Sequence, residues 1–142
     1  MERRDFIRLS TAGAVAGLVI PTLAKAEAGQ HPTPPGDIYF TQAAQGRWAG
    51  KAATHLPVIE IAKESGKVIV KVTTPHELKG YEHYIVKHVL LDKDYKFIAE
   101  HFFDPTKDTT PVSSFSLDNY SGELYALSLC NKHDLWLSST EV

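Results

Sequence analysis

The chain has one cysteine and one methionine, and the scarcity of these residues limits which disulfides and metal sites it can form. A lone thiol, Cys130, allows no intramolecular disulfide, so it is a free thiol, an intermolecular bridge or a metal ligand. The only methionine is Met1, which leaves no axial thioether for a type 1 copper site once the N-terminus is removed. The formal net charge is −2, which lacks the basic excess of a nucleic-acid-binding protein, so we predict no nucleic-acid partner.

The N-terminal segment lacks an apolar run of the roughly 20 residues that a membrane-spanning helix needs. Adjacent Arg3 and Arg4 precede the uncharged stretch 9–24, and Ala24-Lys25-Ala26 gives a small-x-small cleavage pattern. These features predict that residues 1–26 are a removable signal peptide, with an uncleaved anchor as the alternative. The Arg-Arg-Asp-Phe-Ile core resembles a twin-arginine signal, whose pathway exports folded proteins, and it predicts a periplasmic location.

The remainder lacks any helical period and is rich in strand signals. Residues 27–45 contain Gly, Pro, Gln and Ala and are predicted to form a tether, followed by one domain over residues 46–142. Alternating or β-branched segments, separated by turn residues, predict six or seven short strands. Six of them have clear bounds: Leu56–Ile61, Lys67–Thr73, Tyr84–Leu91, Tyr95–Phe103, Val112–Leu117 and Glu123–Cys130. This pattern predicts an all-β fold, an immunoglobulin-like antiparallel sandwich or barrel.

Histidine is the residue type that is plentiful, with seven in the chain. Five donors form a candidate metal set, and four of them lie at strand ends or in loops, where side chains can converge at one rim of a sandwich. The five donors are His55, His76, His83, Cys130 and His133. Five nitrogen and sulfur donors are too many for a closed tetrahedral zinc site, and they suit an iron with one open position. His88 is five residues from His83, an odd offset that places it on the other face of a strand. His31 lies in the predicted tether, and His101 has no partner in its sequence pattern. His31, His88 and His101 are thus predicted not to bind the metal.

Four sequence segments resemble those of the superoxide reductase family, which includes desulfoferrodoxin and neelaredoxin. Residues 130–136, Cys-Asn-Lys-His-Asp-Leu-Trp, are similar to the terminal Cys-Asn-x-His-Gly-Leu-Trp motif of that family. Residues 54–60 resemble its His-x-Pro-Val-Ile-Glu segment, and residues 75–76 and 82–85 resemble its two middle histidine segments. The similarity extends over roughly residues 47–138, and the segments occur in the family's order.

The resemblance implies one mononuclear iron that cycles between Fe2+ and Fe3+. It implies equatorial ligation by His55, His76, His83 and His133 and axial ligation by the Cys130 thiolate. The chain is similar to the one-iron type, because no cysteines remain for a second, rubredoxin-like iron site. The implied function is reduction of superoxide to hydrogen peroxide, with an unidentified one-electron donor protein as partner. A homo-oligomer is left open.

The chain departs from the family at three points. Ala53 and Thr54 stand where the family has Glu-Lys before the first histidine, His76 and His83 are one residue further apart than usual, and Asp134 replaces a glycine. Without that lysine, positive potential at the iron must come from elsewhere. Of Lys51, Lys79 and Lys132, we predict Lys79 as the catalytic lysine, because it lies between two ligands in sequence.

The missing Glu-Lys pair also supports an alternative, a non-catalytic iron-binding electron carrier or a metal or redox sensor on the same fold. A second alternative is a sulfur-compound carrier domain in which Cys130 is the attachment point. That protein would be isolated without iron, so metal analysis separates it from the first two functions.

Export should depend on both arginines of the signal. We expect the double variant Arg3→Lys/Arg4→Lys to accumulate in the cytoplasm instead of the periplasm, because the twin-arginine pathway reads the pair. Cell fractionation with an immunoblot measures this. Unchanged periplasmic accumulation of the variant would indicate a different export route.

Overall fold

The structure, a computed structural model, describes residues 35–142. Two sheets pack face to face, as predicted for an immunoglobulin-like sandwich. The elements in chain order are β1 (Tyr39–Phe40), α1 (Ala52–His55), β2 (Val58–Glu64), β3 (Lys67–Thr73), β4 (Ile85–Leu91), β5 (Phe97–Phe102), β6 (Val112–Asp118), β7 (Glu123–Cys130) and β8 (Asp134–Glu141). Short 3-10 turns cover Gly46–Trp48 and Gly80–Glu82.

The larger sheet has the strand order β1-β8-β7-β4-β5, and the smaller sheet has the order β2-β3-β6. All pairings are antiparallel except that of β1 with β8, which is parallel. Within residues 35–45, part of the predicted tether, Tyr39 and Phe40 pair with Leu135 and Trp136. Phe40 is fully buried there.

The main core lies between the sheets and follows from strand alternation. In β3, Val68, Val70 and Val72 point inward, while Lys67 and Lys71 are exposed. Burying each such aliphatic side chain stabilises the fold by about 1.5–3 kcal/mol. Against these valines pack inward residues of the larger sheet, Leu90, Leu124 and Ala126. The alternation of β3 therefore fixes which face of the smaller sheet is the core face.

Two smaller clusters extend the core toward one end of the sandwich. Phe40, Ala52 and Trp136 pack together, with Phe40 and Trp136 ring centroids 5.6 Å apart. Ile85, Phe103 and the thiol-bearing Cys130 form the second cluster. The helix α1 is thereby held against β8 through Ala52, which places the histidine at its last position above the end of the sheet.

Residues 1–34 lie outside the described residues, and with them the predicted signal, His31 and the first part of the predicted tether. Among residues 35–142, no helix has the length and apolar character needed to cross a bilayer.

A buried polar network links the core to the loop that follows β3. His88 is fully buried, and its Nε2 and Nδ1 contact Thr74 Oγ1 at 2.8 Å and Ser113 Oγ at 2.7 Å. Thr74 Oγ1 also contacts Ser128 Oγ at 2.7 Å. Burial, with a smaller effect of nearby His101, lowers the pKa of His88 from 6.5 to about 3. His88 is therefore a neutral, fully hydrogen-bonded core residue.

His88 should make the iron-free protein lose stability in acid. The unfolded chain takes up a proton on His88 below pH 6.5, whereas the folded chain does so only near pH 3, so the free energy of unfolding falls as the pH is lowered through that window. His88→Gln keeps hydrogen-bonding groups but does not titrate. Between pH 7 and pH 5, urea unfolding should show the wild-type protein losing about 2 kcal/mol more than the variant. Equal losses would contradict this account of His88.

Candidate metal centre

Five donor side chains meet at the end of the sandwich where β7 finishes. His55 is the last residue of α1, His76 lies in the loop after β3, and His83 follows the 3-10 turn Gly80–Glu82. Cys130 is the last residue of β7, and His133 lies in the turn between β7 and β8. The five residues predicted to bind the metal are therefore together in space.

The inner atoms of these side chains are within hydrogen-bonding distance of one another. His133 Nδ1 lies 3.1 Å from His55 Nε2 and 3.2 Å from His83 Nε2. His76 Nε2 lies 3.1 Å from His83 Nε2, and Cys130 Sγ lies 3.6 Å from His133 Nδ1. The donor atoms of His55, His76, His83 and Cys130 all lie within 4.8 Å of one another.

The outer nitrogens of two rings fix which atom can bind a metal. His55 Nδ1–H donates to the Lys51 carbonyl at 2.9 Å, and His76 Nδ1–H donates to the Glu77 carbonyl. Because a carbonyl only accepts, each Nδ1 carries the proton and each Nε2 presents a lone pair inward. This carbonyl-to-histidine arrangement is the usual support of metal-binding histidines. His55 and His76 therefore each offer an inward lone pair that can bind a cation.

The electrostatics of the cluster keep the histidines neutral. Burial lowers the pKa of His55 to about 4, although its bond to the Lys51 carbonyl opposes the shift. Burial is also the main cause of the lowered pKa of His76, His83 and His133. The imidazoles are therefore unprotonated at neutral pH, which is the form that binds metals.

Cys130 lies beneath the imidazoles, with 2% of its surface exposed. Burial raises the pKa of the thiol, while the backbone N–H groups of Lys132 and His133 lower it. The metal-free thiol thus keeps its proton, and a bound cation is what converts it to thiolate.

The residue after His133, Asp134, supports the His133 ring from the side away from the other donors, and its backbone conformation is one that non-glycine residues rarely adopt. Asp134 has a φ of 62°, in the left-handed region that glycine adopts without strain. Its carboxylate accepts from Trp48 Nε1–H at 2.8 Å and from Arg47. The Trp48 ring meets the His133 ring edge-on, with centroids 4.7 Å apart. Asp134 thus replaces a glycine by adding two hydrogen bonds that support the ring of a metal-site histidine.

A shallow cleft opens above the imidazoles. Its lining comprises Lys51, Thr54, His55, Pro75, His76, Glu77, Lys79, His83 and His133. Cys130 is buried and does not line the cleft. Lys79 Nζ is 3.3 Å from Glu77 Oε2, which offsets part of its charge. Lys51 lines the same cleft, whereas Lys132 does not line it.

The other two described histidines lie elsewhere, although the parity argument for His88 was wrong. His83 precedes β4 instead of beginning it, and the pairing of β4 with β7 is irregular between Ile85 and Lys87. Counting residues from His83 therefore says nothing about the face of His88, which is inward because of its place in the core network. His101 lies on β5 opposite His88 and is exposed.

Sequence reasoning missed the supports of the cluster. The Lys51 carbonyl and the Arg47–Trp48–Asp134 contacts were not predicted, because they depend on the path of residues 46–55 around the end of the sheet. The one available signal was an aspartate at position 134, where the family has a glycine. That signal is weak without the fold, because Trp48 and Arg47 are distant from Asp134 in sequence.

A sequence model of the desulfoferrodoxin family matches residues 47–139. A search of curated proteins finds no match. Among solved structures, the superoxide reductase (neelaredoxin) from Ignicoccus hospitalis is similar with 28% identity and a TM-score of 0.62, over 78% of this chain and 98% of that one.

Two further solved structures are similar. A superoxide reductase in the oxidised state has 33% identity and a TM-score of 0.55, over 68% of this chain and 93% of its own. A variant of the superoxide reductase (neelaredoxin) from Archaeoglobus fulgidus, in the reduced form, has 29% identity and a TM-score of 0.54, over 65% and 90% of the two chains.

Replacing the Cys130 thiol should distinguish its contribution to the visible spectrum from that of the imidazoles. In the iron-loaded, oxidised protein we expect Cys130→Ser to lose most of the visible sulfur-to-iron charge-transfer band, because a hydroxyl is a far poorer electron donor than a thiolate. An optical spectrum at matched iron content measures this, and His101→Gln serves as the control that keeps both band and iron. A full-strength band in Cys130→Ser would exclude the thiol as a ligand.

Proposed function

The chain belongs to the desulfoferrodoxin family, and from this membership we infer that it is a superoxide reductase with one mononuclear non-haem iron. It reduces superoxide to hydrogen peroxide, a step that takes one electron and two protons per superoxide. The observation that carries the inference is the convergence of four imidazoles and one thiol beneath an open cleft.

We propose that His55, His76, His83, His133 and Cys130 hold this iron. The donor set supports the assignment, since two of the rings have a defined inward lone pair and four donor atoms lie within 4.8 Å of one another. His133 Nδ1 joins them at 3.1 Å from His55 Nε2 and 3.6 Å from Cys130 Sγ. Iron held there would supply the electron, and its thiolate partner would make that electron easier to give up, as in thiolate haems.

The residues of the cleft determine how superoxide arrives. Lys51 and Lys79 line the cleft and give it local positive potential in a chain of net charge −2. The charge of Lys51 acts at the cluster itself, since after burial it is the largest cause of the lowered pKa of His133. We propose Lys79 as the catalytic lysine predicted from the sequence, with Lys51 acting beside it. The cleft is open to solvent, which supplies the two protons.

The electron that leaves the site must be replaced by an external one-electron donor. Nothing in the described residues offers a second redox centre, because Cys130 is their only cysteine and it lies in the metal cluster. The electron carrier or sensor considered from the sequence is less favoured, because the family match and the open, lysine-lined cleft both suit turnover of a small anion.

We also propose that the protein is exported to the periplasm by the twin-arginine pathway, on the strength of residues 1–26. An iron site formed from residues far apart in sequence is complete only after folding. Export of the folded chain would therefore carry the loaded site across the membrane intact.

Stopped-flow mixing of the reduced, iron-loaded protein with superoxide tests the function. We expect hydrogen peroxide without oxygen release, and repeated turnover when a chemical reductant is present. Lys79→Gln and Lys51→Gln should each lower the second-order rate constant by about two- to tenfold at low salt, and less at high salt.

Lys63→Gln, an exposed lysine of β2 away from the cleft, is the matched control and should keep the wild-type rate. One oxidation of the iron without further turnover would instead identify a carrier or sensor. Unchanged rates in both cleft variants would remove the lysines from the mechanism.

A further inference from the structure

Asp134 is a charged residue in a backbone conformation that usually belongs to glycine. Its φ is 62°, in the left-handed region, where aspartate and asparagine are the best tolerated residues after glycine. Backbone strain of this kind persists only where surrounding contacts hold it, and it is concentrated at functional sites. The residue directly follows His133 of the metal cluster. The contacts of the Asp134 side chain therefore indicate what it does for that cluster.

The Asp134 carboxylate is held by two consecutive residues of the turn Gly46–Trp48. Trp48 Nε1–H donates to Asp134 Oδ2 at 2.8 Å, and the Arg47 guanidinium forms an ion pair with the same oxygen. The guanidinium carbon also lies 5.1 Å from the centroid of the Trp48 ring. The hydrogen bond from Arg47 is the main cause of the lowered pKa of Asp134, and Trp48 adds to it although burial opposes it. The carboxylate is therefore ionised at neutral pH.

The charge of this carboxylate reaches two of the five donors. Burial lowers the pKa of His133, and the Asp134 carboxylate opposes that change. Burial raises the pKa of the Cys130 thiol, and Asp134 raises it further. Trp48 contacts both sides, because its indole N–H donates to Asp134 and its ring meets the His133 ring edge-on, with centroids 4.7 Å apart. The negative charge at position 134 thus acts on an imidazole and on the thiol of the cluster.

Arg47 cancels only part of this negative charge at the donors. The Arg47 side chain is 64% exposed and that of Asp134 is 40% exposed, so water screens the guanidinium more strongly than the carboxylate. The net effect of the pair at His133 is therefore that of a negative charge. Oxidation adds a positive charge to a metal ion, and a nearby negative charge stabilises the more positive state.

We propose that Asp134 is a positioning residue that lowers the reduction potential of the iron, acting through His133 and Cys130. The inference rests on the iron site proposed above. Iron(II) gives one electron to superoxide, which takes up two protons to become hydrogen peroxide, and the external donor returns one electron to iron(III). The Asp134 charge makes the first transfer more favourable and the second less favourable. The external donor must therefore be a stronger reductant than a neutral residue at position 134 would require.

A redox titration of the full, iron-loaded chain measures this potential, with the iron(III) signal followed by electron paramagnetic resonance. Asp134→Asn removes the charge while keeping the shape, the tolerance of positive φ and an oxygen that accepts from Trp48. At a fixed ambient potential we expect this variant to lower the ratio of iron(III) to iron(II) by roughly three- to tenfold. A tenfold change corresponds to a potential raised by about 59 mV for one electron.

Arg47→Gln should shift the potential in the opposite direction, because the carboxylate is then less neutralised. A loss of structural support alone would not give opposite signs for the two partners of one ion pair. Asp118→Asn is the matched control. It removes the exposed carboxylate paired with Lys67 at 3.8 Å, at the start of β3 and far from the loop of His76, and should leave the potential unchanged.

Circular dichroism establishes that each variant is folded. If Asp134→Asn does not fold, Asp134→Gly makes the same test, since glycine adopts this φ without strain. An unchanged potential in the folded Asp134 variant, a shift of the same sign in Arg47→Gln, or an equal shift in Asp118→Asn would overturn the proposal.

The titration uses no superoxide, so its result is independent of the proposed reaction. A wild-type protein that reduces superoxide, with no change of potential in the Asp134 variant, would overturn the role of Asp134 alone. Opposite shifts in the Asp134 and Arg47 variants, in a protein that does not turn over superoxide, would support the role of Asp134 and overturn the proposed function.

Discussion

Four imidazoles and one thiol meet at one end of the sandwich, with donor atoms close enough to one another to surround a single cation. The carbonyls of Lys51 and Glu77 orient two of these donors, since they hold the ring protons of His55 and His76 on the outer side. Much of the fold at this end is arranged to keep the donors there. The iron requirement, the open cleft and the inferred reaction all depend on this one constraint.

Each donor is held by a different part of the scaffold. Cys130 is the last inward position of β7, so the alternation of that strand aims its thiol into the cluster. His76 follows Thr74, whose hydroxyl is bonded to His88 in the core and whose backbone N–H donates to the Pro111 carbonyl at 3.0 Å. His133 is held by Trp48 and Asp134. The positions of the five donors therefore depend on the packing of the core residues and loops that hold each of them.

The sequence predicted the strands whose side chains alternate between buried and exposed, and it predicted the metal-site residues that lie in recognisable motifs. The bounds of β3 and β7 agree with prediction, because one face of each is buried against the core. The strand β8 was missed, because Leu135, Trp136 and Leu137 are continuously apolar. Trp136 is fully buried, and the two leucines lie on the opposite face of the sheet. The helix α1 is a single turn, too short to show a period, so the support of His55 could not be predicted.

X-ray absorption spectroscopy at the iron edge tests the central claim most directly, because it counts the atoms around the metal without depending on turnover. For the reduced, iron-loaded chain, the account predicts one sulfur neighbour and four imidazole nitrogens. A first shell without sulfur, or one with only two or three imidazoles, would contradict the convergence of His55, His76, His83, His133 and Cys130 on a single iron.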